Sequence, residues 1–194
     1  MVKGSTTEDP TAYLKSYKQT SVEIMQKIGD EEVAGFIELL DEARANDRQI
    51  FLCGNGGSAT TASHLANDLG KGASCGRDKR FRVLALTDNI SWITALANDT
   101  DYSQIFVEQL KNYANPHDLL VAFSGSGNSP NILEAVQWAN QRDLRTIGIT
   151  GRPGGKLGQI ARHPIFVESS HMGHIEEGHF LIQHLVGYYF IENG

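Results

Sequence analysis

At 194 residues the chain is long enough for one domain with a substantial core, and its 40% hydrophobic content is that of an ordinary folded protein. A formal charge of −6 without any long basic run argues against nucleic acid as a direct partner, and no apolar run approaches the length of a membrane span. The opening MVKGSTTEDP has no apolar signal core, and Cys53 and Cys75 are the only cysteines, so the expected compartment is the reducing cytoplasm.

Residues 1–9 are polar and expected to fray. Asp9-Pro10 then starts a helix, a cap followed by proline in the first turn, with Tyr13, Tyr17, Thr20, Ile24 and Ile28 as its stripe. Gly29-Asp30 ends it. A second helix follows with Val33, Phe36, Ile37, Leu40 and Ala43 on one side. These two helices fill 10–48 as an N-terminal extension, and one of them is expected to pack on a partner subunit. The remainder, 49–194, reads as an α/β core within the same single domain.

Ile50 to Cys53 is a short apolar run suited to a buried strand, followed by Gly54-Asn55-Gly56-Gly57-Ser58 and a helix to about Leu69. A strand, a glycine-rich turn and a helix start aim free N–H groups and a positive dipole end at one point, where an anion can bind. The turn lacks both the dinucleotide G-x-G-x-x-G spacing and the Gly-Lys-Ser/Thr of a nucleotide triphosphate loop. The plainer alternative is a tight turn with no ligand. Phe81–Leu86 is the second strand, and Thr87-Asp88-Asn89 leads into a helix holding Ile90, Trp92, Ile93 and Leu96, closed by Asn98-Asp99. Tyr102 to Tyr113 is another helix, with Ile105, Phe106 and Leu110 inward.

Leu119–Phe123 is a third strand and runs into Ser124-Gly125-Ser126-Gly127-Asn128-Ser129, before a helix beginning at Pro130. Serine hydroxyls and backbone amides at a helix start can satisfy phosphate oxygens without a cation. Thr146–Thr150 and Pro164–Val167 are the fourth and fifth strands, and Gly173–Glu192 is a long last helix. Strands alternating with helices give a parallel α/β sheet, with ligands expected at the carboxyl ends of the strands, where both Gly/Ser turns lie.

His64 and Asp68 are four apart on one helix face, and the last helix carries His174, Glu176, Glu177, His179 and His184. Glu177 and His184 are nearly in line, with Glu176 roughly on the same side. Bringing the two helices together would gather two imidazoles and two carboxylates, a set suited to Zn²⁺ or another divalent ion. Taken separately, each cluster also reads as a solvated helix face, and His179 is expected at the surface.

Taken together, CGNGGS, the helical His64 and Asp68, Asn98-Asp99, SGSGNS and the late Glu-Glu-x-His helix resemble the sugar isomerase (SIS) domain, and within it the phosphoheptose isomerase family. The resemblance covers nearly the whole chain. It implies a three-layer, flavodoxin-like domain with a five-stranded parallel sheet, assembled as a homotetramer with sites at subunit interfaces. It also implies aldose–ketose isomerisation of sedoheptulose 7-phosphate to glycero-manno-heptose 7-phosphate, for cell-surface heptose synthesis. On the family's pattern Asn55, Gly56 and Gly57 meet substrate, Ser124, Ser126 and Ser129 hold its phosphate, Asn98 and Asp99 meet sugar hydroxyls, and Ser58, Gly125 and Glu176 complete the substrate-binding set. Asp68 and His184 take the base and acid positions, and His64, Asp68, Glu176 and His184 the zinc positions.

Two of these residues depart from the pattern, and one departs in the serine turn. Asp68 stands where the family has Glu, which withdraws the carboxylate by about one bond length; ~1 Å of misplacement can cost on the order of 100-fold in rate. Glu176 stands where the family has Gln, adding a charge that strengthens divalent binding or takes over as base. Gly125 replaces a Thr. Two further readings stay open: an isomerase of another ketose phosphate, and a non-catalytic SIS sensor or adaptor of the kind that binds the replication initiator.

Overall fold

The computed structural model describes residues 9–193, so the expectation for residues 1–8 lies outside it. Helices α1 (Pro10–Met25) and α2 (Asp30–Ala45) come first. The Asp9 carboxylate caps α1 through Thr11 N–H at 3.0 Å, with Pro10 in the first turn, as the Asp-Pro pair predicts. Three acidic residues, Asp30, Glu31 and Glu32, complement the positive end of α2.

Five strands follow: β1 (Gln49–Cys53), β2 (Arg82–Ala85), β3 (Leu119–Ser124), β4 (Arg145–Gly151) and β5 (His163–Val167). All pair in parallel, in the order β2-β1-β3-β4-β5. Between them run α3 (Gly57–Asn67), α4 (Ile90–Asp99), α5 (Val107–Tyr113), α6 (Pro130–Gln141) and α7 (Leu157–Ile160), and α8 (Met172–Asn193) closes the chain. This strand order reverses direction between β1 and β3, and a crevice opens there beyond the strand ends. The two Gly/Ser turns leave from those two strands.

Alternation along the strands divides the core. Ile50 and Leu52 point to the face covered by α2, α3 and α8, where Phe36, Leu40, Leu65, Ile182 and Phe190 pack. Phe51 and Cys53 point to the other face, against Phe106, Leu110, Ile132 and Val136 from the α5–α6 side. Each such fully buried Leu or Phe contributes roughly 1.5–3 kcal/mol relative to exposure.

Several expectations change in detail. The helix read as running to about Leu69 is α-helical only to Asn67, and Asp68–Gly72 forms a π-turn closed by Ala73 N–H to the Asp68 carbonyl at 2.7 Å. Such turns are rare and recur at functional sites. Within α1, Ile24 alone of the stripe is buried, while Tyr13, Leu14 and Val22 are exposed. Helix α4 forms where its pattern predicts, yet none of its residues is buried and Ile90 is 71% exposed. Among the described residues no helix is long and apolar enough to cross a membrane.

Candidate functional site

The first turn is shaped by its glycines. Gly56 adopts φ +54°, which an L side chain rarely takes, and starts α3 by accepting from the Ala59 and Thr60 amides. A Cβ on Gly57 would meet Glu176 Oε1 at 2.6 Å, so only glycine lets the α8 carboxylate lie over this turn. The second turn folds on itself through Gly127 N–H to the Ser124 carbonyl at 3.1 Å and Asn128 N–H to Ser126 Oγ at 3.2 Å. It is braced from behind by Gly151 N–H to the Gly125 carbonyl at 3.1 Å and Leu157 N–H to the Gly127 carbonyl at 2.9 Å. A Thr at 125 would meet Met172 Sδ, which occupies that space at 2.5 Å from the Cβ position.

Together the turns line a cleft of about 300 Å³ with Asn55, Gly56, Gly57, Ser58, Ser124, Gly125, Ser126 and Ser129 in its walls, and Phe123, Met172 and Glu176 completing it. The donors are neutral amides and hydroxyls. Two helix N-termini, those of α3 and α6, point into it, which suits an anionic group.

Helices α3 and α8 lie side by side and run the same way. Gly57 meets Glu176 and, eleven residues later on both, Asp68 meets Gly187. At the far end of this pair are His64, Asp68 and His184, whose candidate ligand atoms all lie within 4.8 Å of one another. The His64 and His184 rings meet edge-on at 5.0 Å, and Phe180 stands against both at 5.1 and 4.7 Å. Asp68 is 7% exposed. Its Oδ2 lies 3.4 Å from His64 Nε2 and has no hydrogen-bond partner. Two ligands at 2.0–2.1 Å from a tetrahedral zinc ion sit about 3.3 Å apart, so the His64–Asp68 spacing matches a zinc pair and the N, N, O donor set suits Zn²⁺.

Glu176, expected as a fourth ligand, is not in that group. Eight residues of one helix separate it from His184 by about 12 Å of rise, and its carboxylate faces the cleft. Glu177 turns away as well, toward α1, where it accepts from Ser21 Oγ at 2.8 Å beside the buried His174. Burial pushes the Glu177 pKa up, but the Ser21, His174 and Tyr17 hydrogen bonds outweigh it and leave the carboxyl below its ordinary value. The two neighbouring glutamates therefore serve different surfaces.

His179 is not at the surface. It is fully buried against the sheet, with its ring 5.9 Å from that of Phe123, because its position falls on the same face of α8 as Ile175, Ile182 and Val186. Both of its ring nitrogens, and both polar atoms of the equally buried Gln183 one turn on, lack a protein hydrogen-bond partner. Burial pushes the His179 pKa down from 6.5 to about 4, so the ring is neutral.

Asn98 and Asp99 are exposed at the end of α4, joined by a 2.7 Å hydrogen bond, and do not line the cleft. Asp99 instead borders a separate depression of about 350 Å³ with Trp92, Leu96 and Glu108. Burial pushes the Cys53 thiol far up, which removes it as a nucleophile. Two residues that the sequence reading passed over stand at the cleft. Asn131 pairs with Asn55, and the Tyr102 hydroxyl donates to Asn55 Oδ1 at 3.1 Å. No local pattern could have flagged a pair 76 residues apart.

Known proteins are similar to this chain in sequence and fold. The SIS domain family matches residues 12–151. The phosphoheptose isomerase of Geobacter sulfurreducens is 37% identical over 183 residues, 92% of this chain and 94% of that protein. Among solved structures, the phosphoheptose isomerase of Neisseria gonorrhoeae aligns with a TM-score of 0.85 at 31% identity, covering 93% of this chain and 97% of that one. That of Francisella tularensis aligns with a TM-score of 0.89 at 28% identity, covering 96% and 100%. The five-stranded parallel fold, the paired Gly/Ser turns and these relatives agree, and the chain belongs to the SIS domain family and, within it, to the phosphoheptose isomerases.

Proposed function

We propose that this aldose–ketose isomerase of phosphosugars converts sedoheptulose 7-phosphate to D-glycero-D-manno-heptose 7-phosphate. The observation that carries the reading is the Asp68 carboxylate: buried, with Oδ2 free of hydrogen bonds and two imidazoles beside it. The reaction needs a base to take a proton from the carbon next to the carbonyl, and an acid to return one to the neighbouring carbon. Asp68 is the base and His184 the acid. Asn55, Gly56, Gly57 and Ser58 hold the sugar, with Ser124, Gly125, Ser126 and Ser129 on the phosphate, while Glu176 over Gly57 contacts sugar hydroxyls. Zn²⁺ held by His64, Asp68 and His184 would supply positive charge to a developing enediolate.

One chain holds these parts apart. Eleven helical residues put Asp68 about 16 Å from Gly57, more than a seven-carbon sugar phosphate comfortably spans between its carbonyl and its phosphate. That separation, the exposed apolar residues of α1 and the partly covered α4 support a homotetramer in which a second copy completes each site. Asn98 and Asp99, exposed at the end of α4, then reach the sugar of a neighbouring copy. The free thiols Cys53 and Cys75 suit a cytoplasmic setting.

A second reading, sugar-phosphate binding without turnover, is favoured by the short Asp68 side chain and the added charge of Glu176. One experiment separates them: an NMR assay of the purified chain with sedoheptulose 7-phosphate, with and without Zn²⁺. The expected result is turnover that disappears in Asp68→Ala. Thermal stabilisation by the sugar phosphate with no turnover in the parent chain would leave the binding reading standing.

A further inference from the structure

Asn131 is the second residue of α6, just past the serine turn, and is 1% exposed. Its Oδ1 accepts from the backbone N–H of Ile132 at 3.0 Å and from Asn55 Nδ2 at 2.9 Å. A backbone N–H can only donate, so the atom facing it is the amide oxygen, and Asn131 has one permitted orientation. Its other end is then the NH₂ group, which donates to Asn55 Oδ1 at 2.8 Å. The Tyr102 hydroxyl donates to that same oxygen at 3.1 Å.

The orientation of Asn55 follows from this chain of donors. Both lone pairs of its oxygen are taken, by Asn131 and Tyr102, and one of its two N–H bonds is spent on Asn131. A single N–H is left over, on a residue that lines the cleft beside the serine turn. We propose that Asn131 is a positioning residue that locks the Asn55 amide so that it offers the cleft a donor and never its carbonyl oxygen. The group received is therefore an acceptor oxygen of the sugar phosphate, on its phosphate or on the carbon skeleton where the enediolate develops. This inference rests on the reading of the cleft as a sugar-phosphate site.

Two changes test it, the first nearly isosteric. Asn131→Asp keeps the acceptor for Ile132 but replaces the NH₂ that holds Asn55 Oδ1, so Asn55 turns its spare N–H toward the new carboxylate and away from the cleft. The expected loss in kcat/KM with sedoheptulose 7-phosphate is on the order of 10- to 100-fold, the range for one hydrogen bond to a charged group. A loss confined to KM assigns the N–H to the phosphate, and one confined to kcat assigns it to the enediolate. In an Asn55→Ala background the same Asn131→Asp change should cost much less, because the lock has lost its target and only repulsion between the new carboxylate and the anion remains.

A merely structural Asn131 would cost the same in both backgrounds, and that outcome overturns the lock. So does an Asn131→Asp protein with unchanged kcat/KM. If the parent chain binds sedoheptulose 7-phosphate without turning it over, calorimetric affinities replace kcat/KM in the same cycle, and the lock is tested although the isomerase reading has failed. A parent chain that neither binds nor isomerises the sugar removes the cleft reading and the lock together.

Discussion

The two ends of the α3–α8 pair are built from different materials. At the cleft end the lining groups are backbone amides, serine hydroxyls, the Asn55 carboxamide paired with Asn131, and one carboxylate, that of Glu176 over Gly57. At the far end the groups are titratable side chains, His64, Asp68 and His184, gathered from two helices and left with a free carboxylate oxygen. Between them α8 buries His179 and Gln183, whose side-chain polar atoms have no hydrogen-bond partner among the described residues. On the proposed function, holding the anion falls to oriented amides and hydroxyls, and moving a proton to the buried, unpaired Asp68 carboxylate.

The sharpest way to break this division is to remove the chemistry alone. His184→Ala should lower kcat by roughly 10²–10⁴, the usual contribution of a general acid or base, and leave the affinity for sugar phosphate within a few-fold. Equal losses in kcat and affinity, measured by single-turnover kinetics beside calorimetry, would show that the two ends are not separable.

Next in size is an effect of pH on the buried middle. The folded-state pKa of His179 lies at about 4, against 6.5 when unfolded, so the unfolded chain binds the extra proton between these values. Stability is therefore fully present above pH 6.5 and falls as pH drops toward 4, by up to roughly 3 kcal/mol. Urea midpoints should follow that slope in the parent chain, and His179→Phe should flatten it.

At the cleft end, Ser126→Ala with Ser129→Ala should weaken phosphosugar binding by about tenfold or more while the melting temperature moves little. Unchanged affinity would sink the serine turn as the phosphate cradle. Smallest of all, Gln183→Met should stabilise the fold by about 1 kcal/mol, since it replaces two unpartnered buried polar atoms with an apolar chain of similar volume. A loss of activity in that variant would give Gln183 a function that its burial alone does not suggest.

Much of this was readable from the chain. The apolar runs ending in Gly/Ser clusters marked β1 and β3 with their turns, and the strand–helix alternation fixed a parallel sheet. The i,i+4 spacing put His64 and Asp68 on one face, and the last helix brought His184 to them. What escaped was set by packing at long range. Glu176 and Glu177 look like one acidic pair in sequence, yet a 100° step around α8 sends one to the cleft and the other to Ser21 on α1. The burial of His179 depended on which face of α8 meets the sheet, and its histidine chemistry pointed the other way. The apolar side of α4 carries a normal core pattern, with nothing local to say that its own chain leaves Ile90 exposed and covers Ile93 and Leu96 only in part.

A chain with a formal charge of −6 must still attract a dianion, and the parallel run of α3 and α8 provides a way. Both helices start at the cleft, where Gly57 and Met172 are wall residues, so their dipoles add and set a field along the pair with its positive end at the serine turn. The negative end of α3 falls at Asp68, beside His64 and His184, where a bound cation is favoured. The same backbone feature offers an anion the cleft end and a cation the far end without a lysine in the cleft. Glu176 is the carboxylate in the cleft wall that opposes it. Capture of phosphate then works at short range, by contact with oriented amides rather than by steering from afar, and salt should slow it far less than it would a lysine-lined site.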